Sequence, residues 1–312
     1  MLIGFSAYSL RFSAERMTAA DLLRITREVG ADGVMLSPHF FPEPYERSFK
    51  QVLELARELG LFVELETGGT DPDHLRRMID ASAFLGASVL RTFIGGALER
   101  YRTGYESWQE RLKDAEAQLR AVAPYAEEKG VRIALENHGD LRTGELLRLI
   151  ENIGSEWVGV CLDTGNQLFL LEDPLESAER LAPYTFSTHI KSYRVAFCTE
   201  GLAVEGCALF DDDIPNREIV SILRERSPLG EDLHLNLEVP FERIVVPIFD
   251  EGYLGALGEM SLSEAMKALR YAKGRWMGEV EELTYSDDIP QREKEWLKLS
   301  VRRAKEEWRV KG

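Results

Sequence analysis

The chain has 312 residues, 44% hydrophobic and 29% charged, with a formal net charge of −16 and a pI near 4.9. That acidity disfavours nucleic acid and anionic membrane as partners, since their binding relies on clustered Lys and Arg, and neither is expected. A small anionic substrate stays compatible with it, because one local Arg or Lys outweighs the global field at contact range.

No apolar run approaches the roughly 20 residues of a membrane-spanning helix. The opening "MLIGFSAYSLRF" has no basic leader and no small-residue cleavage site, so it reads as a first strand and the expected location is cytoplasmic. Three unevenly spaced cysteines, Cys161, Cys198 and Cys207, offer neither a disulfide framework nor a C-x-x-C zinc site. Cys161 lies in "VGVCLD" and reads as a small buried hydrophobe.

In chain order, short apolar segments recur at 2–7, 33–37, 61–66, 88–93, 132–137, 157–163, 186–192 and 233–239. Between them run stretches with helical periodicity, such as 18–30, 48–60 and 108–130. Gly30, Gly60, Gly86 and Gly130 stand where helices stop before the next strand, the position of a left-handed C-terminal cap. Strand, helix, Gly, strand is the pattern of a βα repeat, and eight units in roughly 250 residues predict a (β/α)8 TIM barrel, an α/β fold. An open doubly wound sheet is the alternative, but no G-x-G-x-x-G turn follows the first strand. The barrel is expected over 1–285, with a C-terminal helical extension over 286–312 whose helix starts near Pro290. Trp296, Leu299, Val301 and Trp308 of that helix need a surface to cover, on the barrel or on a second copy of the chain, which would make a homo-oligomer. The segment 193–216, with "DDD" at 211–213, is too long for a βα turn and reads as a lid over the site.

Chemistry in such barrels sits at the C-terminal ends of the strands. The fifth strand, in "IALENHGD", ends with Glu136 and His138, followed by Asp140. The sixth ends with Asp163 before Thr164, Gly165 and Asn166, the seventh with His189 and Lys191, and the eighth with Glu238. Three carboxylates converging without a counter-charge repel strongly, and one divalent cation held by Glu136, Asp163, His189 and Glu238 removes the conflict. The mixed oxygen and nitrogen donors suit Mn²⁺, Mg²⁺, Co²⁺ or Zn²⁺. His39, in "SPHFFPEP" after the second strand, faces the catalytic end and is a candidate substrate contact. His74 reads as a surface residue and His234, at the start of the eighth strand, as structural.

"ALENHGD", "VGVCLDTGN", "THIKS" and "LNLEVP", in this order and spacing, resemble the xylose-isomerase-like barrel superfamily. Its members include sugar and sugar-phosphate isomerases and epimerases, inosose dehydratases, hydroxypyruvate isomerases and type IV apurinic endonucleases. The resemblance implies that Glu136, Asp163, His189 and Glu238 are metal ligands. It also implies that Glu136 and Glu238 match the proton-moving pair of the ketose 3-epimerases. Departures are visible: Asn166 replaces the His that many epimerases carry three residues after the Asp, and the second strand ends in "LSPHF" rather than Glu. Only Arg194 loosely matches the Arg that the ketose 3-epimerases carry after the seventh strand.

The expected activity is therefore a metal-dependent isomerase or epimerase acting on a keto-sugar, sugar phosphate or sugar-derived keto-acid through an enediolate. A lyase of the same superfamily (dehydratase, decarboxylase or 3-keto-glycoside deglycosidase) is the alternative. More remote readings are a type IV endonuclease-like nuclease and a metal-free sugar-binding barrel. Glu136, Glu238 and Lys191 are the expected catalytic residues, and His138, Asn166, Arg91 and His39 the expected substrate contacts. Lys191 would donate to the developing enediolate oxygen, and Arg91 would grip a carboxylate or phosphate.

Overall fold

Strands buried on both faces need continuous apolar runs and helices packed over them, and the eight apolar segments supply both. The computed structural model describes residues 1–43, 45–280 and 288–309. Its barrel strands are β1 (Ile3–Ser6), β2 (Gly33–Leu36), β3 (Phe62–Glu66), β4 (Val89–Thr92), β5 (Arg132–Glu136), β6 (Val158–Asp163) and β7 (Thr185–His189). Three further strands, β8 (Tyr193–Phe197), β9 (Leu202–Gly206) and β11 (Arg243–Val246), flank the last barrel strand, β10 (Leu235–Leu237). The barrel order is β10-β1-β2-β3-β4-β5-β6-β7, with parallel pairing throughout. The ring closes where Ile190 N–H donates to Asn236 O at 2.8 Å and Glu238 N–H donates to Ile190 O at 3.1 Å. This is the expected TIM barrel with a C-terminal helix.

Helices Ala19–Val29, Pro72–Leu85 and Tyr105–Lys129 stop at Gly30, Gly86 and Gly130, with φ of 82°, 78° and 67°. The barrel interior is plugged by aromatic rings. A Cβ on Gly33 would lie 2.3 Å from the Phe62 ring, and one on Gly159 would lie 2.4 Å from the Phe186 ring. Only glycine admits these rings. Phe186 joins Val89, Ala134 and Cys161 in a buried cluster. By strand alternation, those last three lie one layer beneath Arg91, Glu136 and Asp163. Cys161 is thus the buried small residue its sequence context suggested.

The segment 193–216 is not a free lid. β8 and β9 form a hairpin, and β9 pairs antiparallel with β11. The alternating "YRVAF" and "LAVEG" find a partner strand, so 193–197 and 202–206 are sheet and only the turns around them, 207–215 included, are loop. Its acidic triplet is also committed elsewhere. Asp211 pairs with Arg303 at 3.0 Å, Asp212 accepts from Asn216 Nδ2 at 3.1 Å, and Asp213 accepts from Val195 N–H at 2.9 Å and pairs with Arg275.

The C-terminal helix, Ile289–Trp308, buries Leu297, Val301, Ala304 and Trp308 within the same chain. It packs on the helix Ala19–Val29, on β1 and on the turn Ala7–Leu10. Glu293 is buried and accepts from Phe12 N–H (3.1 Å), Ser13 N–H (3.0 Å) and Ser13 Oγ (2.7 Å). The expected boundary at 285 lies outside the described residues. Among the described residues, no helix is long and apolar enough to cross a membrane.

Candidate active site

Strand ends position the site. Glu136 ends β5, Asp163 ends β6, His189 ends β7, and Glu238 follows β10 by one residue. Asp163 and His189 are direct cross-strand partners. The Asn137 side chain extends the β5–β6 pairing, donating to Asp163 O and accepting from Asp163 N–H, both at 2.8 Å. Glu136, Asp163, His189 and Glu238 each place one donor atom within 4.8 Å of the other three, and all four residues are buried.

The charges in this cluster hold one another. His189 Nδ1 lies 2.7 Å from Glu238 Oε2 and 3.3 Å from Glu136 Oε2. Burial alone would lower its pKa, but Glu136 and Glu238 outweigh that and raise it to about 10. Lys191 Nζ sits 2.9 Å from Glu238 Oε1, 3.1 Å from Asp163 Oδ2 and 3.1 Å from Asn166 Oδ1. Despite burial, Asp163 and Glu238 hold its pKa well above the usual lysine range. Glu136 receives the Nε–H of Arg91 and, at 3.3 Å, Asn166 Nδ2. Burial pushes Glu136 up, yet Arg91 and His189 hold it well below the ordinary carboxylate value. Glu238 is likewise held down against burial by Lys191 and His189. Asp163 goes the other way: burial, with Glu136 and Glu238 nearby, raises it to about 7 against the pull of Lys191.

Two buried atoms at this centre, Asp163 Oδ2 and His189 Nδ1, have no aligned hydrogen-bond partner despite their charged neighbours. Buried polar atoms are normally satisfied, and orphans of this kind point to an absent ion or ligand. Three carboxylate oxygens and one imidazole nitrogen fit a hard or borderline divalent cation.

Through Glu238 the cluster reaches a cavity of about 360 Å³, and Arg91 and Lys191, which touch Glu136 and Asp163, stand in its wall. Arg91, Asn166, Lys191 and Glu238 line it, as do His138, Phe93 and Phe169. His138 is fixed by Nδ1 against Gly95 O at 2.8 Å and by its ring against Phe93. Asp140 takes another role. Its buried carboxylate accepts from the N–H groups of Gly95 (2.7 Å), His138 (3.0 Å) and Leu141 (2.8 Å), shaping the turn that presents His138. Arg91 is not free: besides Glu136 it donates to Thr67 O at 3.2 Å. His39 is exposed, stacks on Phe40 and lines a smaller neighbouring cavity of about 120 Å³. His74 is half-buried rather than at the surface, with Nε2 2.7 Å from Thr67 Oγ1. His234 stacks on Phe62 and pairs with Glu64 at 2.7 Å.

Residues 23–257 match the xylose isomerase-like TIM barrel family. The chain belongs to this family. A 3-oxo-isoapionate decarboxylase from Pectobacterium atrosepticum is 28% identical over 219 residues, 67% of this chain and 76% of the relative. The structure of an L-ribulose 3-epimerase superposes with a TM-score of 0.64 at 17% identity, covering 99% of this chain and 98% of that one. A xylose isomerase-like barrel from Mycobacterium smegmatis in complex with magnesium gives 0.56 at 17% identity, covering 87% and 95%. The two structural likenesses show the fold.

This xylose isomerase-like barrel also lines its cavity with residues that sequence reasoning passed over: Ser6, Tyr8, Ser37, Glu66, Glu242 and Ile244. Glu66 ends β3 as Glu136 ends β5, so its strand-end position was a readable signal. It accepts from Ser6 Oγ and Ser37 Oγ, each at 3.0 Å, and lies 3.7 Å from His189 Nε2. Burial raises its pKa, with Arg91 and His189 opposing.

Proposed function

We propose that this chain is a divalent-metal-dependent enzyme that forms an enolate or enediolate from a small sugar-derived keto-acid or keto-sugar and resolves it as a lyase. The observation that carries this reading is the buried four-donor cluster, with two orphaned atoms, beneath a cavity that Glu238 lines together with Lys191 and Arg91. Glu136, Asp163, His189 and Glu238 would hold the ion. Mg²⁺, Mn²⁺, Co²⁺ and Zn²⁺ all suit that donor set, and the magnesium complex of the M. smegmatis barrel supports it. When bound, the ion would supply Lewis-acid polarisation of a substrate oxygen.

The protein's own residues favour carbon loss over proton shuttling. An epimerase needs two carboxylates that accept protons, and Glu136 is tied to Arg91 and held far below the usual carboxylate range. Decarboxylation of a β-keto acid needs no strong base. The C–C bond to the carboxylate breaks, its electron pair delocalises into the neighbouring carbonyl, CO₂ departs, and one proton is then added to carbon. Lys191, charged and buried, supplies positive charge to the developing oxyanion, and the proton added afterwards comes from water. The decarboxylase name of the P. atrosepticum relative supports this choice. Isomerase or epimerase activity is the second reading, favoured by Glu136 and Glu238 reaching one centre. A small carbohydrate, rather than nucleic acid, is the partner that the acidic chain and the small cavity suit.

The test is incubation with Mg²⁺ or Mn²⁺ and a panel of ketoses, 3-keto-glycosides and branched β-keto sugar acids, followed by NMR and CO₂ capture. CO₂ release supports the lyase reading. Epimers or isomers without carbon loss shift it to the second, and no metal-dependent turnover of any compound rejects both.

A further inference from the structure

We propose that Glu242 is a specificity-determining residue of the cavity's outer wall, selecting a substrate whose far end is an uncharged, hydroxyl-bearing chain and rejecting a phosphorylated one. The proposal rests on the reading that this cavity is the active site, and it names the substrate class.

The cavity runs from a sealed floor to an open wall. Glu136, Asp163 and His189 are 0% exposed, whereas the Glu242 side chain is 11% exposed and Tyr8 39%. Glu242 is held rigidly. Gly206 N–H donates to its carbonyl at 2.8 Å. A Cβ on Gly206 would fall 1.8 Å from Pro240 O, so this backbone crossing admits only glycine. Its side chain is aimed by three donors. Tyr193 OH donates to Oε1 at 2.7 Å, while Arg11 Nη1 (3.1 Å) and Tyr8 OH (3.3 Å) donate to Oε2. A carboxylate offers about four acceptor directions, so one is left for a substrate hydroxyl.

The cations nearby are already spent. Arg11 serves Glu242 and Phe241 O, Arg91 serves Glu136, and Lys191 serves Asp163 and Glu238. The carboxylates of Glu66, Glu136, Asp163, Glu238 and Glu242 outnumber these three cations, and one divalent ion at the floor only balances the total. Phosphate recognition uses free guanidinium or ammonium groups in forked or clustered array, and among the described lining residues every cation has a carboxylate partner. A phosphate at the outer wall would therefore face Glu242, with the buried Glu66 beneath it offering no positive charge. Hydroxyls suit the same wall, since they donate to the open acceptor direction of Glu242 and to the Tyr8 oxygen, whose own hydrogen is held by Glu242.

The test avoids turnover: calorimetric binding of xylitol and of xylitol 5-phosphate to the Mg²⁺-supplemented protein. Xylitol is expected to bind at least about tenfold more tightly than its phosphate ester, the discrimination that like-charge juxtaposition supplies. Glu242→Gln should narrow that ratio to about threefold or less by relieving the ester, with metal content unchanged. Tyr8→Phe, which leaves the charges in place, should weaken both ligands alike and preserve the ratio. The proposal is overturned by equal or tighter binding of the ester to the wild type, by absence of xylitol binding, or by an unchanged ratio in Glu242→Gln. Metal loss in Glu242→Gln overturns it too, because that would place the residue in the floor. Failure of the enzyme reading looks different: no metal-dependent turnover, with the binding ratios intact.

Discussion

Arg91 donates its Nε–H to Oε2 of Glu136 inside the barrel, so one carboxylate of the buried four-residue cluster already has a permanent cation as partner. Removing one member of a buried pair strands the other, at a typical cost of about 3–5 kcal/mol. Arg91→Met should therefore destabilise the metal-free protein by roughly that amount. Added Mg²⁺ should restore more stability to the variant than to the wild type, because the ion takes over the charge of Glu136. Melting curves with and without Mg²⁺ measure this, and an equal metal response in both proteins would contradict it.

Asp163 joins two functions that substitutions can separate. Its Oδ1 accepts from Gly165 N–H (2.9 Å) and Asn166 N–H (3.0 Å), while Oδ2 is the orphaned atom at the centre. Asp163→Asn should keep the turn and the melting temperature but lose bound metal. Asp163→Ala should lose metal and also about 1–3 kcal/mol of stability, as buried donors go unsatisfied. In both, the bonds from Asn137 survive because they reach the backbone of residue 163. Elemental analysis beside circular dichroism reads the two effects, and an Asp163→Asn protein that retains full metal removes Asp163 from the ligand set.

On the proposed reading, protons and a metal ion would compete at this cluster. His189 is raised from 6.5 to about 10, so its contribution to metal-free stability is fully present below pH 6.5 and is lost as pH rises through about 10. Asp163, raised from 3.8 to about 7, follows the same sign over a lower window. Glu136 and Glu238 are lowered, so their contributions hold above about pH 4.5 and fade as pH falls. A ligand imidazole must be neutral, so metal uptake expels the His189 proton and strengthens with pH. The melting-temperature gain from Mg²⁺ should grow steadily between pH 6 and pH 9. A gain that is flat or shrinks over that range rules this linkage out.

Lys191 lies against Asp163 and Glu238, which makes charge balance its competing role. If it serves the reaction, Lys191→Met retains its metal while kcat/KM falls on the order of 10²-fold or more, the loss typical of one transition-state donor. If it only balances charge, the variant binds metal more tightly and keeps near-full activity. Metal titration and steady-state kinetics on one preparation separate the two.

How much of this could be read in advance depends on how local each signal is. The eight barrel strands and the caps at Gly30, Gly60, Gly86 and Gly130 are encoded within a few residues of themselves, and they were legible. The cluster of Glu136, Asp163, His189 and Glu238 was legible too, because strand ends in a barrel share one level. β8 and β9 were not, since their sheet needs β11 some 40 residues downstream: Leu202 pairs with Val246. Glu242 was hidden for the same reason, as nothing in "VPFERIVV" announces the hydroxyls of Tyr8 and Tyr193. Arg91 was expected to face a ligand, and only the folded barrel reveals that its register brings it to Glu136.

The bonds between Glu293 and the turn at Phe12 and Ser13 span 281 and 280 positions of sequence. During synthesis that turn emerges some 280 residues ahead of its fastening. At about 5–20 residues per second, the interval is on the order of 15–60 s. Throughout it, the loop that carries Tyr8 and Arg11 has neither its C-terminal brace nor, until β10 arrives to pair with β1, a neighbour on one edge. A nascent barrel of this kind exposes one unpaired edge of β1 until β10 emerges, and the yield of active protein should track how well a chaperone shields that edge.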